Sequence, residues 1–421
     1  MKQSKQSDRD IYVKLMGPEM EAAFPMSEYR QRLEVLRSAM QQAKLDLVFL
    51  SSPEAINWLT GYAAEWYQGQ SSTKFQPMSG IAVHVDHDRW IHFDTDMEPV
   101  LIRTTSVSED VRLCPHEKDG AEFIAKHLSA EGWLDQSAVG LELGSYRPNR
   151  VYSEHFQGKL EEKCKSVSDA TKLVRKVRRQ KSHAELASVR TAQRIADIGM
   201  QAAIDHIQPG MTELEVYAEV IAAMARAGGE NAGITLPVAS GLKSTCVHAL
   251  ASRRVIMPGE IVNVDVCGVY NRYHANMARA FSMGEPDPEV AKRCEIAYGA
   301  MDVVAQTVRP GLPVKDLMNT VKEYYKEHGI LDEAWWIGGY ELGIAFPPDW
   351  VGEFMYELVG EDDGESFLPG DVCNYEANFY LPNSAGMVMA INTLLFDDAS
   401  AGFMQKTPNQ LFVIEREEAS G

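Results

Sequence analysis

The chain has 421 residues, of which 45% are hydrophobic and 24% charged; this balance excludes collagen-like, low-complexity and largely disordered classes, and the length calls for two or three domains. With 41 Lys and Arg against 60 Asp and Glu the formal net charge is −19, so the surface should repel nucleic-acid phosphates and anionic membranes. No run approaches the roughly 18 uninterrupted apolar residues of a bilayer span, and the polar stretch 1–14 has no signal-peptide core; a cytoplasmic protein without nucleic-acid or membrane partners is expected. The six cysteines, Cys114, Cys164, Cys246, Cys267, Cys294 and Cys373, include no C-x-x-C pair, which favours buried thiols over a zinc knuckle or a disulfide framework.

Strand-like apolar runs at 47–50, 80–85, 90–93 and 139–143 alternate with polar helical stretches such as 121–128. That is the pattern of an α/β domain, placed over residues 1–171. A basic amphipathic stretch begins near Lys172, and Ser182 with Glu185 forms an S-x-x-E capping box ahead of Leu186, Val189, Ile195 and Ile198. A second domain over 172–421 follows. The run Lys172, Arg175, Lys176, Arg178, Arg179 and Lys181 is read as a solvated helix face, since a nucleic-acid patch suits so acidic a chain poorly.

The second domain repeats itself. Residues 200–229 and 301–329 both read as helix, Pro-Gly turn, helix and glycine stop, and one interval separates both Pro209 from Pro310 and Gly228 from Gly329. A second echo follows each unit. Pro258-Gly259-Glu260-Ile261-Val262-Asn263-Val264-Asp265 recurs as Pro369-Gly370-Asp371-Val372-Cys373-Asn374-Tyr375-Glu376, a turn, an acid, an apolar strand and a carboxylate. Two like halves pack most simply about a pseudo-twofold axis, which would set Asp265 and Glu376 facing one another across a cleft.

A carboxylate on a strand rich in Val, Ile and Tyr is costly to bury unless it is paired, hydrogen-bonded or used. Taken singly, each acid reads as well as a solvated strand end, and His248 as a structural histidine. Their recurrence in register, with His248 just upstream of the first Pro-Gly turn, favours acid/base chemistry. On the next strand, alternation puts Arg272, His274 and Asn276 on one face. The loop 338–350, with Tyr340, Asp349 and Trp350, suits a binding wall and equally a structural turn. Dinucleotide, P-loop and nucleophilic-serine motifs are all missing from the sequence.

With its duplicated half, paired acidic strands and upstream histidine, the chain resembles the pita-bread family of methionine aminopeptidases, Xaa-Pro peptidases and creatinases over most of its length. The resemblance implies an N-terminal creatinase-type α/β domain followed by a C-terminal pseudo-twofold α+β pita-bread domain. Metallopeptidase members hold two metal ions with two Asp, one His and two Glu. Carried over, the first Asp falls on Asp265, the second on Asn276, the His on Tyr340 and the first Glu on Glu376. The last Glu falls within 387–392, where Asn392 is the nearest polar substitute. Neutral amides cannot neutralise a divalent pair, so neither metal nor other cofactor is expected.

Arg272-Tyr273-His274, Gly339-Tyr340, Leu342-Gly343, Phe346-Pro347-Pro348-Asp349-Trp350 and Trp58-Leu59-Thr60-Gly61-Tyr62 are similar to motifs of the metal-independent creatinase and ectoine hydrolase branch. Ectoine hydrolases carry Glu where this chain has Asp265, and no acid matching Glu376, so a different small substrate is expected. The resemblance thus implies a metal-independent hydrolase cleaving an amidine, guanidino or amide C–N bond in a small zwitterionic metabolite. His248 would shuttle protons, Asp265 would attack or hold the cationic group, and Glu376 would balance its charge. Tyr340, Asn276, Arg272, His274, Asp349 and Trp350 would line the pocket, with Arg272 meeting a substrate carboxylate. The likeness to creatinase also implies a homodimer in which Tyr62 and Trp66 reach the partner's pocket. The alternatives are a metal-dependent Xaa-Pro-type aminopeptidase or lyase, with one transition metal on Asp265, Glu376 and His274, and a non-catalytic pita-bread binding protein.

Overall fold

The computed structural model describes residues 21–64, 79–115, 117–360 and 364–415; Trp66 lies outside them. The chain forms two compact units, 1–178 and 179–421. Among the described residues, no helix is long and apolar enough to cross a membrane.

In the first unit α1 (Met26–Ala43) buries Tyr29, Leu33, Leu36 and Met40, a three-to-four-residue spacing that lays one stripe on the core. β1 (Leu47–Leu50) follows, then α2 (Pro53–Thr60), whose N-cap Ser52 accepts from the Ala55 N–H. β2 (Gly80–His84), β3 (Trp90–Thr95), α3 (Pro99–Thr105), β4 (Val111–Cys114), α4 (Gly120–Ala130), β5 (Ala138–Leu141), α5 (Arg150–Glu161), β6 (Ser166–Asp169) and α6 (Thr171–Val177) complete the unit. Its six strands run in the order β4-β3-β2-β1-β5-β6. Phe49, Phe93, Val139 and Leu141 on the sheet pack with Ile124 and Leu128 of α4 and Phe156 and Leu160 of α5, as the strand and helix pattern of the sequence predicts.

The boundary falls seven residues later than the sequence placed it. Residues 171–177 form their own helix, α6, which packs against α1. Arg179 and Lys181 are not a solvated face, because both are buried. Arg179 pairs with Asp371 and Glu365, and Lys181 with Glu341 at 2.6 Å. Four of the six cysteines are buried as expected, but Cys246 is exposed.

The second unit opens with α7 (His183–His206), where the Ser182–Glu185 capping box is complete in both directions. After it come α8 (Glu213–Arg226), β7 (Val238–Ser240), β8 (Ile261–Tyr270), β9 (Tyr273–Met283), α9 (Pro288–Thr307) and α10 (Val314–Glu327). β10 (Ala334–Tyr340), β11 (Met355–Glu357), β12 (Val372–Tyr380), β13 (Met387–Phe396), β14 (Ala401–Phe403) and β15 (Phe412–Ile414) end it. The main sheet path is β11-β10-β12-β13-β9-β8-β7. It reads as two halves meeting at β13 and β9, with β8 matching β12 and β7 matching β10. The echo reaches the backbone: α8 and α10 each span 14 residues, and Gly259 and Gly370, ahead of the matching strands, adopt φ of +84° and +85°, a region that glycine enters without steric cost.

Alternation sorts the two faces of each long strand. Cys373, Tyr375, Ala377 and Phe379 of β12 enter a core with Met301 and Val304 of α9 and Leu317, Val321 and Tyr325 of α10. Asn374, Glu376 and Asn378 are left on the other face. On β8, Gly268 lies against α7, and a Cβ there would stand 2.0 Å from the Ala192 carbonyl oxygen and 2.6 Å from the Ala196 nitrogen. Asp265 lies on the opposite face. Replacing Gly268 by Ala should push α7 off the sheet at a cost of about 1–3 kcal/mol, seen as a lower urea midpoint with an unchanged slope.

Candidate active site

Directly paired residues in a sheet share a face, so the register locates the acids. Asp265 pairs with Ala278, Ala278 with Ile391, Ile391 with Glu376, and Glu376 with Gly338. One row therefore crosses five strands with the two acids flanking the central pair. Both acids are buried, yet keep 6% and 8% of their surface.

Two carboxamides join them. Asn276 Nδ2 donates to Asp265 Oδ1 at 2.6 Å, and Asn374 Nδ2 donates to Glu376 Oε1 at 2.6 Å and to Asn276 Oδ1 at 3.3 Å. Asn374 Oδ1 accepts the Tyr340 N–H at 2.8 Å. That approach needs a glycine next door, since a Cβ on Gly339 would stand 2.0 Å from the Asn374 carbonyl oxygen. The Tyr340 hydroxyl accepts Trp350 Nε1–H at 3.1 Å, and the Tyr340 side chain opposes the rise of the Glu376 carboxyl. Asn378 Nδ2 donates to Glu376 Oε2 at 3.3 Å. The Asn378 Oδ1 is buried without a hydrogen-bond partner among the described residues.

These surroundings separate the two acids. Burial first, and then the charge of Glu376, push the Asp265 carboxyl well above its ordinary value. Burial also raises Glu376, but three hydrogen bonds, from Tyr340, Asn378 and Asn374, oppose it. Both carboxyls are thus raised, and of the two Asp265 is the one more readily protonated.

Asp265, Glu376, Asn276, Tyr340 and Trp350 come together as the sequence reading places them. Arg272 does not. Asn271 and Arg272 form the two-residue turn between β8 and β9 with φ of 53° and 64°, so strand alternation stops before Arg272. Its guanidinium donates to the Ala345 and Asn231 carbonyl oxygens and stacks on Phe346; it is committed to the backbone and not to a ligand. His274 is fully buried, accepting the Gly233 N–H at Nε2 and bonding the Arg272 carbonyl oxygen at Nδ1. Burial pushes it down to about 3, so it is a neutral brace. Asp349 is exposed and caps its own loop through the Trp350 and Val351 N–H groups. Tyr62 is buried in the first unit, edge-on to His92 at 4.9 Å.

His248 is exposed, its ring edge-on to Trp335 at 6.1 Å. Its neighbour Val247 packs on Ala278, Met387, Met389 and Ile391, the strip between the acids, so the loop tip stands at the rim of the row. The base of this loop is clasped by Glu213, which accepts from the Ser240 and Ser252 N–H groups, both hydroxyls and Lys243. Burial alone would raise the Glu213 carboxyl, but these donors hold it below its ordinary value. Sequence reasoning missed Asn374, Asn378 and Glu213; the first two were visible as polar residues two apart on either side of Glu376.

Four positions that the resemblance assigned to metal ligands hold Asp265, Asn276, Tyr340 and Glu376; the fifth falls within 387–392, where Ile391 is the residue in the row of the acids. Asn392, the expected substitute, points to the other face and binds Arg279 and Asn409. Amide N–H groups aim at carboxylate oxygens that a cation would need, and among the described residues no cluster of three His, Cys, Asp or Glu side chains could hold a metal ion. This donor set does not fit a divalent pair.

Residues 187–398 match metallopeptidase family M24, and residues 32–180 match the creatinase/prolidase N-terminal domain. The chain is 26% identical over 386 residues to the Xaa-Pro dipeptidase of Pyrococcus furiosus, covering 91% of this chain and 99% of the relative. It is 24% identical over 420 residues to the ectoine hydrolase of Halomonas elongata, covering 93% and 98%. A dipeptidase structure from Pyrococcus horikoshii superposes with a TM-score of 0.77 at 19% identity, over 91% of this chain and all of that one, a likeness of fold.

The raised Asp265 carboxyl has a measurable consequence. Above the unfolded value near 3.9 and below the native one, the folded chain binds more protons than the unfolded, so stability is full below about pH 4 and falls as pH rises, by up to about 1.4 kcal/mol per unit for each such group. Urea unfolding from pH 4 to pH 8 should show this slope, and Asp265→Asn should flatten it, leaving the smaller part due to Glu376.

Proposed function

The chain belongs to metallopeptidase family M24, a family of hydrolases, and from that premise we propose that it hydrolyses a C–N bond of a small cationic metabolite without a metal ion. The observation that carries this reading is the Asp265–Asn276–Asn374–Glu376 chain of hydrogen bonds, in which one carboxamide donor, Asn276, stands where a metal ligand of the family falls.

Glu376 pairs with the cationic amidine or guanidino group, or accepts a hydrogen bond from the N–H of a neutral amide, and in a cleft of low dielectric the charge pairing outweighs its value in water. His248, at the rim, accepts a proton as water attacks the carbon. Asp265 gives its proton to the departing nitrogen, so that a C–O bond forms, the C–N bond breaks and the amine leaves neutral. Asp265 therefore serves as an acid rather than as a nucleophile. Asn276 and Tyr340 hold the two acids in register, and Trp350 fixes Tyr340. The same reading makes the protein a homodimer acting in the cytoplasm.

The likeness to an Xaa-Pro dipeptidase favours a second reading, metal-dependent cleavage of Xaa-Pro dipeptides on the same acids. Guanidino acids, alkylguanidines, cyclic amidines, small amides and an Xaa-Pro dipeptide, each assayed with and without chelator, separate the two. Release of urea, ammonia or amine should survive chelation. Xaa-Pro cleavage lost together with a stoichiometric bound metal would overturn the metal-free reading. His248→Ala should lower turnover by about 10²–10⁴ with folding intact, measured as kcat beside an unchanged unfolding midpoint.

A further inference from the structure

We infer that the site selects a donor-rich cation that carries no carboxylate, a guanidinium or amidinium on an aliphatic arm, rather than a zwitterion. This rests on the C–N hydrolase reading and narrows its substrate class.

The acceptors are already in place. Asp265 and Glu376 flank the row, and the Asn378 Oδ1 has no hydrogen-bond partner among the described residues while its Nδ2 turns to Glu376. A buried acceptor left alone costs free energy, and a planar cation with several N–H groups can supply donors to acceptors on both sides of the row. The surface between the acids is hydrocarbon, namely Ala278 and Ile391, continued by Met387, Met389 and Val247. It suits methylene or methyl groups, and the amide donors beside it, Asn276 and Asn374, are already turned to Asp265 and Glu376.

Five cations of this unit are spent elsewhere. Arg272 donates to the Ala345 and Asn231 carbonyl oxygens, and Arg279 to the Ile391 and Pro408 carbonyl oxygens and to Asn392. Lys181 is held by Glu341, Lys243 by Glu213 and Arg254 by Glu260. A substrate carboxylate entering beside Glu376 would meet like charge without a compensating cation from these side chains, and repulsion at that range in a partly desolvated cleft is strong.

Titration calorimetry on the full-length protein with two matched pairs tests this: methylguanidine against guanidinoacetate, and butylguanidine against 4-guanidinobutyrate. The carboxylate-free member should bind about tenfold or more tightly in each pair, butylguanidine more tightly than methylguanidine, and Glu376→Gln should weaken both. Equal or tighter binding of the carboxylated members, still lost in Glu376→Gln, would overturn this inference and leave the cation-binding site standing. No binding by any of the four would overturn both.

Discussion

Two buried acids of like charge cannot sit side by side on an apolar sheet unless something between them donates hydrogen bonds. Here two asparagines do so. Asn276 belongs to the β8–β9 hairpin with Asp265, and Asn374 to β12 with Glu376, so the bond between the amides ties one half of the duplicated unit to the other. The bridge depends on sheet register and on Gly339, which lets β10 press against Asn374 of β12. It also divides the acids chemically, since Glu376 receives three side-chain donors and Asp265 one.

Much of this was legible in the chain. The paired Pro-Gly turns announced a duplicated domain, the carboxylates in the same step announced facing acids, and Ser182 with Glu185 announced the start of α7. Such local signals survive folding because each is satisfied within a few residues. What escaped depended on partners far apart in sequence. Arg272 was misplaced because a two-residue turn, Asn271-Arg272, unmarked by glycine, starts β9 at Tyr273, one residue later than alternation supposed. Arg179 and Lys181 read as solvated because their acids, Asp371 and Glu341, lie more than 150 residues on. Asn392 was one residue out of phase, and one residue along a strand reverses the face.

The central pair, Ala278 and Ile391, has no polar atom in its side chains, although it lies where the two halves meet. A centre filled by hydrocarbon leaves the polar residues on either side free to differ: Asn276 is an amide beside the acid Asp265, and Glu376 lies between Asn374, which the repeat matches with Asn263, and Asn378, which it matches with Cys267. The duplication supplies the scaffold together with one of the two bridging amides.

Glu213 lies outside that row, yet it governs the segment above it. By gathering donors from both ends of the loop 240–252, one carboxylate closes the segment into a ring, with Cys246, His248 and Leu250 exposed towards its tip. The entropy of fixing the path of that segment is lost once, when the chain folds, and not again each time a ligand arrives.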